Sequence, residues 1–181
     1  MLSIERIGLI GVVTAIMALS SSVAPAVAKK SSTKPPALAN AHALLASREL
    51  WATIDVCSPV DQPDTVGVRG SMPGDGHAGD RMYMSFRLQY MSAAKVWVDL
   101  ESAVPVFGAV GGGAAAREGG SSFQLVPVVG KPATELRGVV DFQWRRGKKV
   151  LLSTSRPTTT GRKSVTGSDP AGFSAATCLI G

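Results

Sequence analysis

Between Met82 and Met91 every second residue is large and apolar: Met82, Met84, Phe86, Leu88 and Tyr90 alternate with Tyr83, Ser85, Arg87 and Gln89. Strand side chains alternate between two faces, whereas helical ones return every three or four positions. The run therefore reads as a half-buried strand and not as an amphipathic helix. Leu136–Arg145 repeats the pattern. Leu136, Val140, Phe142 and Trp144 share one face, with Gly138 in phase, while Arg137, Asp141, Gln143 and Arg145 take the other. The two apolar faces are expected to face each other across one core, because an isolated pair of strands buries too little to be stable.

Weaker strand patterns surround these two: Leu50–Val56, Thr65–Gly70, Lys95–Leu100, Ser122–Val129 and Phe173–Ile180, separated by clusters of Gly, Pro, Asp and Ser. Arg146-Gly147 reads as the turn of a hairpin that returns through Lys149–Thr154. About eight strands and no long helix predict an all-β domain, an antiparallel β-sandwich or a small barrel. Gly108–Gly120 (GAVGGGAAAREGG) reads as the most flexible internal loop, and Pro157–Gly172 as a second long one. In Leu50–Val56 the apolar set is Leu50, Ala52, Ile54 and Val56, which leaves Cys57 off the core face. A bridge from Cys57 then sits at the rim of the core, unless a β-bulge reverses the phase beforehand.

The N-terminal stretch has a different character. Arg6, the apolar run Ile7–Leu19, a break at Ser20–Ser22 and Pro25, and Ala26-Val27-Ala28 form the three parts of a signal peptide. The apolar run is too short to cross a hydrocarbon layer of roughly 30 Å comfortably, although an uncleaved anchor is the competing reading. Lys29–Pro36 (KKSSTKPP) reads as a disordered basic linker, and Ala37–Ser47, with Leu38, Leu44 and Leu45, as a short helix. The expected organisation is a signal over 1–28, a linker with its helix over 29–48, and a β-domain over 49–181. The mature protein is expected to be secreted or associated with the cell envelope. In that oxidising setting the two cysteines, Cys57 and Cys178, are expected to pair, the alternative being two buried thiols. Closing so long a loop should stabilise by roughly 4–5 kcal/mol in the chain-entropy picture.

Near the C-terminus, Asp169-Pro170-Ala171-Gly172-Phe173-Ser174-Ala175-Ala176-Thr177-Cys178 resembles the corner and following strand of immunoglobulin-like domains, where an Asp, a small residue and an aromatic precede the second cysteine. Ala176 stands where that family carries Tyr, and Phe86 would take the place of its Trp. The chain also resembles secreted bacterial β-domains of no assigned role in Val68-Arg69-Gly70-Ser71-Met72-Pro73 and Phe142-Gln143-Trp144-Arg145. The resemblance covers residues 49–181 and implies an immunoglobulin-like sandwich. It implies no activity.

Candidate chemistry is sparse. Two Cys and two His exclude a multi-cysteine zinc domain and an iron–sulfur protein, and 18% charged residues exclude a highly charged disordered chain. His42 lies outside the strand region. His77 lies in the turn Gly74–Asp80 and would have to serve any hydrolase, with a loop carboxylate and Ser71 or a more distant Ser, although no G-x-S-x-G elbow is present. Asp75 and Asp80 offer oxygens to Ca²⁺, but their spacing does not match an EF-hand loop, and turns use Gly and Asp in any case. No metal site and no cofactor are therefore predicted. The net charge of +6 is locally concentrated: Arg145, Arg146, Lys148 and Lys149 adjoin Trp144, with Arg162 and Lys163 in the next loop. These six residues form a candidate patch for anionic extracellular polymers such as cell-wall phosphates or acidic glycans, without sequence-specific nucleic-acid recognition. The competing reading is a solvated turn that protects a sheet edge. The sequence thus points to a secreted, non-enzymatic binding, surface or structural module, with a small hydrolase using His77 as the alternative.

Overall fold

The computed structural model describes residues 40–100, 106–162 and 166–181, all within the compact unit Lys34–Gly181. The expected signal (1–28), the linker Lys29–Pro36, Leu38 and Lys163 lie outside the described residues. Among the described residues one short helix and nine strands follow in order: α1 (Ala41–Leu45), β1 (Trp51–Cys57), β2 (Thr65–Met72), β3 (Arg81–Met91), β4 (Trp97–Asp99), β5 (Gly108–Gly112), β6 (Arg117–Gln124), β7 (Thr134–Arg146), β8 (Lys149–Pro157) and β9 (Cys178–Ile180). The domain is all-β and its strand ladders are antiparallel.

Two sheets form. The smaller has the order β1-β2-β6. In the larger, β3 and β7 are central, β4 and β5 share the free side of β3, and β8 and β9 share that of β7. The long alternating runs are direct neighbours: Met82 lies opposite Trp144, Met84 opposite Phe142, Phe86 opposite Val140, Leu88 opposite Gly138 and Tyr90 opposite Leu136. This corrects the expectation that the two runs face each other across the core. They form one continuous apolar surface, and the opposing residues are Ala52, Ile54, Val66, Val68 and Met72 of the smaller sheet, which join the same core. Trp144 is fully buried and its indole Nε1 donates to the Pro73 carbonyl at 2.9 Å, so its polar edge is satisfied. Burying a side chain of this size contributes roughly 1.5–3 kcal/mol.

The phase conflict at Cys57 is resolved by a bulge. Ile54 pairs with Val68 and Val56 with Gly67, so Asp55 is the inserted residue, and Cys57 comes opposite Val66. Val66 and Val68 are both fully buried, and Cys57 now shares their face. The crowding falls on Gly67, where a Cβ would lie 2.6 Å from Asp55 Oδ1 and 2.8 Å from Val56 Cβ. Cys57 is bonded to Cys178, with Cα atoms 5.6 Å apart. The bridge joins β1 of one sheet to β9 of the other.

Three local readings are corrected. Gly108–Gly120 is not a flexible loop, since most of it lies in β5 and β6. Its glycines sit where neighbours come close, as at Gly113, where a Cβ would lie 2.3 Å from Asp75 Oδ1. The strand expected at Ser122–Val129 lies earlier, at Arg117–Gln124, and leaves Val126, Val128 and Val129 exposed. The last strand is confined to Cys178–Ile180. The segment before it instead caps β1, with Ile54 and Ala175 exchanging backbone bonds at 2.9 and 3.0 Å. This covers an edge that would otherwise present unpaired backbone groups. The short helix is realised as Ala41–Leu45, and its Leu44 is buried in the core.

Candidate functional site

The turn Gly74–Asp80 leaves β2 at Pro73, whose carbonyl is fixed by Trp144, and enters β3 at Arg81. It is docked on the Gly-rich hairpin. Gly76 donates to the Gly113 carbonyl at 2.9 Å, Gly113 to the Asp80 carbonyl at 2.9 Å, and Asp80 to the His77 carbonyl at 3.0 Å. Because Gly113 has no side chain, the hairpin closes directly against Asp75. These contacts make an otherwise flexible sequence a defined scaffold for three side chains.

Asp75 is 4% exposed and Asp80 1%. Asp75 Oδ1 accepts the His77 backbone N–H at 2.9 Å, while its Oδ2 is buried and has no hydrogen-bond partner. Asp80 accepts both arms of a fork from Arg146, Nε to Oδ1 at 2.7 Å and Nη2 to Oδ2 at 2.8 Å. The His77 ring stands at the rim with its side chain 64% exposed, and its Nδ1 lies 4.0 Å from Asp75 Oδ1. One donor atom from each of Asp75, His77 and Asp80 falls within 4.8 Å of the others. Burial pushes the Asp75 carboxyl above its ordinary range, whereas the Arg146 fork holds Asp80 below it. Such an arrangement can hold a proton or a cation between two carboxyl groups. It lacks the geometry of a nucleophile triad: among the described residues no hydroxyl hydrogen-bonds to His77, and Ser71 is buried in β2.

The six-residue basic patch is divided. Arg146 is committed to Asp80. Arg145 hydrogen-bonds Gln143 Oε1 and stacks over Tyr83, its guanidinium 4.1 Å from the ring centroid, with Phe107 at 5.1 Å. Lys148 and Lys149 are exposed at the hairpin tip, whose Gly147 has φ 57° and supplies the first central position of a two-residue turn. Arg162 stacks 5.3 Å over Trp51 of the smaller sheet. Sequence reasoning missed Arg81, which is exposed and directly opposite Arg145 in the β3–β7 ladder. Its signal was the outward phase of Tyr83, Ser85 and Arg87, extended by one step. Further along the same outer face the charges are compensated: Arg87 pairs with both Asp99 and Asp141.

No family model matches the chain, and no curated protein or solved structure matches it either.

Proposed function

We propose that the protein is an exported, immunoglobulin-like β-sandwich that acts as a non-enzymatic binding module for anionic extracellular polymers. Export rests on the tripartite character of Met1–Ala28 and agrees with the Cys57–Cys178 bridge, and no helix among the described residues is long and apolar enough to cross a membrane. Secreted material is expected to begin at Lys29.

The observation that carries the binding reading is the juxtaposition of Arg81 and Arg145. Like charges directly opposite each other in a ladder are destabilising, and neither has a carboxylate partner among the described residues. Lys148 and Lys149 at the neighbouring turn add to the same field. A polyanion relieves that repulsion and releases its own counterions on binding. The hydrolase reading has less support, because His77 has no hydroxyl partner among the described residues.

Retention on a heparin column tests the proposal. Changing Arg81, Arg145 and Lys148 together to Ser is expected to advance elution well beyond a control with Arg48, Lys95 and Lys131 changed to Ser. Equal elution of the two variants would reduce the patch to a solvated turn.

A further inference from the structure

The geometry points to a divalent transition-metal site formed by Asp75, His77 and Asp80, separate from the basic patch and of a kind that neither carboxylate spacing nor the turn's composition predicts. Three observations carry it. The donors converge within 4.8 Å of one another. Asp75 is almost wholly buried, yet its Oδ2 lacks any protein donor. A carboxylate oxygen sealed from water needs a proton or a cation, since leaving it unsatisfied is costly. The third observation is the outer contact of Asp80. Arg146 takes one lone-pair site on each oxygen, and a carboxylate offers about four, so Asp80 keeps acceptor capacity beyond the fork. It lies within hydrogen-bond reach of the Asp75 carboxyl, where a cation would replace a shared proton. Ligating carboxylates are commonly held in this way by a second partner.

The donor set selects the class of ion. Two carboxylates and one imidazole suit Zn²⁺ or Mn²⁺, with a further position left to water. Ca²⁺ would require six to eight oxygens, and the imidazole would be wasted on it. Around an ion with bonds of about 2.1 Å, donors stand roughly 3–4 Å apart, so the cluster must contract slightly. His77 has the freedom to do this, because its ring is exposed while both carboxylates are anchored. Asp75 and Asp80 contribute two negative charges and Arg146 one positive charge, which leaves a net attraction for a dication.

The test uses the full-length protein without a histidine tag, stripped with chelator and titrated calorimetrically with ZnCl₂, MnCl₂ and CaCl₂. One Zn²⁺ or Mn²⁺ per chain is expected, with Ca²⁺ much weaker. His77→Ala should weaken binding roughly tenfold or more, Asp75→Asn should abolish it, and His42→Ala should leave it unchanged. Circular dichroism establishes that each variant is folded. If Asp75→Asn does not fold, the exposed His77 decides the matter. No binding in millimolar Zn²⁺ and Mn²⁺, binding indifferent to His77→Ala, or a preference for Ca²⁺ would each overturn the assignment. The first outcome would mean that Asp75 Oδ2 carries a proton.

Discussion

Gly138 of β7 lies so close to Val68 of β2 that a Cβ built on it would stand 2.7 Å from both valine methyl groups. The relationship is reciprocal, because a Cβ on Gly70 of β2 would stand 3.0 Å from Val140 Cγ1 and 3.2 Å from the Phe142 ring. Each sheet supplies a glycine where the other supplies bulk. Gly138→Ala is therefore expected to destabilise the domain by about 1–3 kcal/mol through overpacking. Adding Val68→Ala removes the two valine methyls but leaves Thr158 Cγ2, 2.8 Å from the same Cβ, so it should recover only part of that loss. Urea denaturation of the two single variants and the double variant would measure this coupling.

The bridge between β1 and β9 gives a second prediction. Its cysteines are 121 positions apart, so it constrains nearly the whole strand region in the unfolded chain. Replacing both Cys57 and Cys178 with Ala should lower the stability by roughly 4–5 kcal/mol in the chain-entropy treatment. Because one partner lies in each sheet, thermal unfolding of the variant is also expected to be less cooperative. A double-Ala variant with unchanged urea midpoint would show that the sheets hold together by packing alone.

The bulge residue Asp55 creates a third dependence. Its carboxylate is almost fully buried and receives Arg69 Nε at 2.8 Å. Arg69→Met removes the only ion-pair partner recorded for it among the described residues, and should cost roughly 3 kcal/mol. Introducing Asp55→Asn as well removes the stranded charge. The double variant should therefore be more stable than Arg69→Met alone, whereas simple additivity would contradict this account.

What the sequence made legible depended on how many residues reported the same fact. In Met82–Tyr90, as in Leu136–Trp144, alternate side chains agree, and each strand and its buried face could be read. Which sheet each belonged to could not, because period two fixes a face and says nothing of the neighbour across it. The Gly-rich stretch failed for a different reason. Glycine marks both a flexible loop and a close approach, and only the positions of Asp75 and Arg117 distinguish the two at Gly113 and Gly111. At the candidate site Asp75, His77, Asp80 and Arg146 were each visible as chemistry-bearing residues. Their meeting was not, since Arg146 is 66 positions from Asp80 and reaches it only through the β3–β7 register.

Asp99 predicts a pH dependence. Its carboxylate accepts from Gln89 Nε2 at 2.9 Å and from Arg87 Nε at 3.1 Å. The Gln89 hydrogen bond, followed by that of Arg87, holds it below the ordinary carboxylate range. A group with a depressed folded pKa stabilises fully above its unfolded value, about pH 4, and loses that contribution as pH falls through the folded value. Asp99→Asn should therefore be less stable than the parent protein near neutrality, with the gap narrowing in strong acid. Paired urea titrations at several acidic pH values would reveal it, and a constant gap would remove Asp99 from the acid response.

Arg145 and Arg146 are adjacent in sequence, yet the structure assigns them opposite work, and this separates patch from scaffold. Arg145 lies on the outer face over Tyr83 and opposite Arg81, where its charge is available to a ligand. Arg146 is turned to the other side of the strand, and its fork closes on Asp80, so its charge is already matched by a buried carboxylate. Arg145→Ser should therefore weaken heparin retention, reduce its salt dependence and leave the melting temperature nearly unchanged. Arg146→Ser should lower the melting temperature, because Asp80 loses its partner. Its effect on retention should be smaller than that of Arg145→Ser, although both variants lose one positive charge. Equal loss of retention in the two would mean that the column senses net charge alone. A larger loss with Arg146→Ser would place the anion at the Asp80 side of the hairpin, contrary to the proposed patch.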